Sequence, residues 1–117
     1  MKNEKLSLLI RRFAIAVQAH QTALEDMAEE RANAHARVIS GLYAAIIREG
    51  DAGREALLAL LDNESQVVAG MAAVFSLRYN PSRSLGTLRR LADKKGLLGF
   101  RASVALEHWE NGEWDGP

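Results

Sequence analysis

Two histidines and one run of arginines are the residues here whose types and placing could do chemistry. His20 and His35 each fall on the apolar seam of a helical stretch. They lie about equally far from a turn near residues 27–28, so an antiparallel hairpin could bring the two imidazoles face to face, with Glu29 or Asn33 nearby. Such a pair could ligate a divalent metal or small ligand, although two histidines fall short of the usual ligand number. It could instead make a pH-sensitive hairpin, because imidazole titrates near neutrality. The plainer reading is a pair of hydrogen-bonded core or edge histidines.

The arginines belong to a charge asymmetry. Net charge is zero, yet Arg78, Arg83, Arg89, Arg90, Lys94, Lys95 and Arg101 face a single acid, Asp93, between 78 and 101. Acid gathers at Glu25-Asp26-Met27-Ala28-Glu29-Glu30 and again at Glu107, Glu110, Glu113 and Asp115. An arginine face on a short helix suits an acidic protein partner, or phosphate. It can also be a solvated helix surface. Nucleic acid fits less well: aromatic content is 6%, and no stacking rings interleave the basic run. Trp114 lies past Gly112, either folded back on the last helix or presented as a hook for a partner.

Catalysis finds no constellation. Ser40, Ser65, Ser76 and Ser103 have no His/Asp pattern beside them, and no nucleophile elbow occurs. Gly50-Asp51-Ala52-Gly53 lacks the Gly-Lys-Ser/Thr ending of a phosphate loop. Asp62 and Glu64 read as a turn and a cap. With no cysteine, disulfides, thiol nucleophiles and thiolate metal sites are excluded. The expectation is a non-enzyme without cofactor.

At 117 residues the chain is expected to be one domain, able to bury roughly 65% of its unfolded surface. The lack of a signal-peptide layout and of cysteine suits a cytoplasmic protein, and no window reaches the ~20 apolar residues of a membrane span.

The elements that must position these residues are all helical. Leu6, Ile10, Phe13, Val17, His20, Leu24 and Met27 alternate spacings of four and three over about 4–25. Ala32, His35, Ile39, Leu42 and Ile46 do the same over about 29–49, with Asp26 the expected N-cap and Gly50–Gly53 a loop. Shorter helices are predicted at about 53–62, 64–79, 82–94 and 97–111, with 112–117 a tail. Pro81 suits a first helical turn and Gly96 a stop. An echo runs through this half: Leu57–Asn63 with Val67–Val74 is matched about 30 residues on by Leu88–Lys94 with Leu97–Val104. Small residues recur on the second helix of each later pair (Ala69, Gly70, Ala72 and Ala73, then Gly99, Ala102, Ser103 and Ala105), as close helix packing requires. The predicted fold is therefore all-α, six helices in three stacked antiparallel hairpins (about 4–49, 53–79 and 82–111), a short α-solenoid.

The stretch Gly53 to Trp109 resembles a small bacterial family, Domain of Unknown Function 2019, described as HEAT-like. The likeness is carried by Leu57 to Asp62, Val68 to Leu77, Pro81, and Gly96-Leu97-Leu98-Gly99-Phe100 with Leu106 and Trp109. Asn33 stands where the family tends to show an Asn. The family's Val-Arg pair is Val68-Ala69 here and its Trp is Gly70, so the arginine that braces adjacent repeats is missing from that position. The resemblance implies the helical-repeat fold and, by analogy, an immunity or adaptor protein. On these grounds the expected function is protein interaction by a monomer or homodimer. Arg78, Arg83, Arg89, Arg90, Arg101 and Trp114 are the candidate contacts; the alternatives are a nucleic-acid accessory role or a ligand site at His20 and His35.

Overall fold

The computed structural model describes residues 3–114 and 116. They form α1 (Glu4–Glu25), α2 (Glu29–Ile47), α3 (Asp51–Ala59), a 3-10 turn (Leu60–Asp62), α4 (Gln66–Ser76), α5 (Pro81–Ala92) and α6 (Gly96–Glu110). No strand occurs among the described residues, so the all-α expectation of six helices holds. No helix is long and apolar enough to cross a membrane. The chain groups into two compact units, Met1–Leu57 and Leu58–Pro117.

In the first unit α1 packs along α2 as a hairpin. The seam read from the sequence buries Leu6, Phe13, Val17 and His20 on α1, and Ala32, Ile39 and Ile46 on α2. Each fully buried Phe or Ile among them contributes roughly 1.5–3 kcal/mol. Lys5 Nζ meets Glu49 Oε2 at 3.7 Å, a surface pair worth less than about 1 kcal/mol.

The hairpin tip departs from expectation twice. Asp26 is not the N-cap of α2; it closes α1 as C-cap, and Ala28 precedes α2 with no side-chain cap. Met27 leaves the apolar seam and is 90% exposed. The reason is a Schellman-type closure of α1: the Met27 N–H donates to Leu24 O at 3.1 Å and the Ala28 N–H to Ala23 O at 2.9 Å. That pattern needs a left-handed residue after the cap, and Met27 takes it at φ 56°. Asp26 then faces Arg31 at 3.4 Å instead of a helix N-terminus.

Two later corners are built alike. Gly50 (φ 74°) precedes α3, and Gly96 (φ 81°) opens α6. Three residues on, Gly53 and Gly99 are each so close to a preceding carbonyl, Ile46 O and Lys94 O respectively, that a Cβ would overlap it. The first glycine turns the chain where an L side chain is disfavoured, and the second lets the new helix start against the old one's end. The expected loop at Gly50–Gly53 is therefore a corner, with Gly53 inside α3.

The predicted helix at about 53–62 resolves into α3, most of which belongs to the first unit, and the 3-10 turn, which packs on α4 within the second. Asn63 Oδ1 accepts the Ser65 N–H at 2.9 Å, and Ser65 Oγ accepts the Val68 N–H at 3.2 Å, capping α4. Pro81 takes the first turn of α5, as expected, and Asn80 Oδ1 accepts the Arg83 N–H at 3.2 Å. α5 packs on both α4 and α6. Ala69, Gly70, Ala72 and Ala73 are buried on α4, with the Gly70 position 3.1 Å from Leu91 Cδ1. Gly99, Ala102 and Ala105 are buried on α6, while Ser103 is exposed. Leu88 and Leu91 complete the core from α5.

Gly99→Ala should lower stability by about 1–3 kcal/mol in denaturant melts, because the obstructing atom is backbone and cannot swing away. Met27→Gly should raise stability by on the order of 1 kcal/mol. Relief of left-handed strain outweighs the extra freedom of the unfolded chain.

Candidate functional site

α5 carries the basic run, and its start decides which arginines act together. The Asn80 cap fixes the first turn, after which residues 83, 86, 87 and 90 fall on one side of the helix. Facing the 3-10 turn, that side forms a groove of about 260 Å³ lined by Leu61, Asp62, Ser82, Arg83, Gly86, Thr87 and Arg90. Gly86 contributes no side chain, and nothing lies within 4 Å of where its Cβ would be, which leaves the middle of the groove open.

The two guanidinium groups stand at the ends of this groove, each held from across it. Arg83 Nη2 lies 3.7 Å from Asp62 Oδ2, and the Arg90 Nη1–H donates to Gln66 Oε1 at 2.5 Å. Side-chain exposure of 49% and 85% keeps the Arg83–Asp62 pair in water, where it is worth less than about 1 kcal/mol. Gln66 is neutral, so it orients Arg90 without offsetting its charge. The groove is thus a positively charged cleft with Leu61 in its lining. It can take carboxylates at its ends and an apolar group between them.

The remaining predicted contacts divide. Arg78, Arg89, Lys94 and Lys95 are exposed, but Arg89 lies on another side of α5 from Arg83 and Arg90. The expected single arginine face is therefore split, with only Arg83 and Arg90 in the groove. Arg101 is half-buried on α6, and the lost solvation lowers its guanidinium pKa from the ordinary value. Trp114 is half-buried with its indole N–H sealed from solvent. Gly116 comes back to the Arg78 guanidinium, a Cβ there standing 3.2 Å from Nη2. Trp114 and Gly116 thus both lie back on their own unit.

His20 is buried on α1 and His35 half-buried on α2. Among the described residues no three His, Cys, Asp or Glu side chains gather as metal ligands.

Phe100 is an exposed aromatic outside the predicted set of contacts. It is 66% exposed on the first turn of α6, with Leu97 at 37% one turn before it and exposed Lys94 and Lys95 just preceding. The signal lay in the periodicity: Phe100 falls off the Leu98, Ala102, Leu106 and Trp109 stripe, and an aromatic on the polar side of a helix is available to a partner.

No family model matches the chain, and no curated protein matches it. Among solved structures it is similar to the protein RPA1889 from Rhodopseudomonas palustris. Identity is 20% and the TM-score 0.86, over 96% of this chain and 93% of that one. At this identity the likeness concerns the fold.

Phe100→Ser should leave the melting free energy within about 0.5 kcal/mol of wild type, whereas Leu88→Ala should cost about 2–5 kcal/mol. Equal losses would place Phe100 in the core.

Proposed function

We propose that the chain is a non-enzymatic protein-interaction module of the helical-repeat type, related to the HEAT-like family it resembles. In this reading it is an immunity-type inhibitor or a regulatory adaptor. It works by occlusion: a preformed face buries an acidic surface of its partner and blocks it.

The observation that carries this reading is the Arg83–Arg90 groove, held open by Gly86; Arg78, Arg89, Lys94 and Lys95 add exposed positive charge elsewhere on the same unit. Pre-oriented guanidinium groups lose little freedom when they meet carboxylates, and the surrounding positive charge speeds the encounter. Phe100 and Leu97 supply the apolar anchor that Trp114 does not. An aromatic bordered by cations suits a partner surface that is acidic and partly apolar.

The test is capture of partners from native lysate with and without nuclease, comparing wild type with the Arg83→Glu/Arg89→Glu/Arg90→Glu variant. The expected result is an acidic protein that survives nuclease and is lost with the variant. Recovery that depends on nucleic acid, or that charge reversal leaves unchanged, overturns the proposal.

A further inference from the structure

The tip of the α1–α2 hairpin and the α5 groove have complementary chemistry. At the tip, Met27 is 90% exposed and holds the left-handed backbone that a Schellman closure usually gives to glycine. Exposed carboxylates surround it: Glu25, Asp26, Glu29 and Glu30. Two of these are engaged locally, Glu25 by the Gln21 amide at 3.1 Å and Asp26 by Arg31. Glu29 and Glu30, in the first turn of α2, make no ion pair among the described residues.

The groove offers the opposite set. Leu61 is part of its lining, its middle is open at Gly86, and Arg83 and Arg90 stand two helical turns apart, about 10 Å along the axis. A methionine side chain is unbranched and adapts to irregular cavities, and about 260 Å³ accommodates it. Glu29 and Glu30, neighbours on the first turn of α2 and about 100° apart around it, point their carboxylates in different directions and could each reach an arginine. Among the described residues the carboxylate paired with these guanidinium groups is that of Asp62, exposed and 3.7 Å from Arg83, so exchanging it costs little.

We infer that the acidic tip of one copy docks in the α5 groove of a second copy, Met27 entering between Arg83 and Arg90 with Glu29 and Glu30 on the two guanidinium groups. The contact joins different patches on the two molecules, so it closes by reciprocal exchange or adds further copies. A single tip buries less than a standard interface, so the association is weak and driven by concentration. This inference rests on the proposed groove and adds a control to it: self-association covers the groove until an acidic partner displaces the tip.

The test is sedimentation equilibrium of the full chain over a concentration series at low and high salt. Wild type should associate at low salt, and added salt should weaken the association about tenfold or more. Three variants at exposed positions should each weaken it to a similar degree: Met27→Ser, Glu29→Lys/Glu30→Lys and Arg83→Glu/Arg90→Glu. Circular dichroism confirms that each is folded. Mixing the two charge-reversed variants should restore association, since each then meets an opposite charge at both sites. A monomeric wild type, or association that persists in either charge-reversed variant alone, overturns the inference, as does failure of the mixture to recover. A monomer that still loses its lysate partner on reversal of Arg83 and Arg90 removes only the self-association. A self-associating chain whose lysate capture is insensitive to that reversal removes only the occlusion reading.

Discussion

A backbone carbonyl set against a glycine Cα is the contact on which the placing of the candidate surface depends. At Gly99 the Lys94 carbonyl occupies the space a side chain would need. α6 therefore starts almost on top of the end of α5, with only a short turn between them. Lys94, Lys95, Leu97 and Phe100, all exposed, follow one another through that corner. The second corner, at Gly50 and Gly53, repeats the geometry with Ile46 O in the first unit. The run Gly96-Leu97-Leu98-Gly99-Phe100 thus contains three separate requirements. One glycine turns the chain, the other makes room, and the aromatic that follows stays in water.

Charge is arranged on a different principle. The zero net charge conceals a strong separation: the α1–α2 tip is acidic and the helices from 78 to 101 are basic. Separation of this kind costs little folding energy because exposed charges are screened within about 8–10 Å. Its effect is on encounters between molecules, where opposite patches orient approach and like patches refuse it. The α5 groove gives the basic side a shape as well as a sign.

Much of the fold was legible in the sequence, for reasons that can be named. The 3–4 spacing from Leu6 to His20 read correctly because the hairpin buries one continuous stripe. Pro81 and the small residues of α4 read correctly because each has one dominant physical use. The tip was misread because Asp26 suits an N-cap, and nothing local announces that Met27 and Ala28 close α1 first. The corner at Gly53 was taken for a loop because a glycine needed for its missing Cβ looks, in sequence, like one needed for its φ angle. Of the site, the arginines were legible as types but not as a set. Arg83 and Arg90 are brought together by helix phase and by a 3-10 turn about 20 residues earlier. The cover on Trp114 depends on where the chain runs after Gly112, which no local pattern announces, whereas the exposure of Phe100 could be read from its place off the α6 stripe.

The position of the aromatic residues also determines how the molecule can be watched. Both tryptophans, Trp109 and Trp114, belong to the unit Leu58–Pro117, the second with its indole nitrogen shut away from water. The unit Met1–Leu57 contains none. Indole emission is therefore a selective optical label for one half of the chain, while helical ellipticity weighs both halves. The native protein carries its own reporter for whether the α1–α2 hairpin and the groove-bearing helices melt as one cooperative body or in sequence.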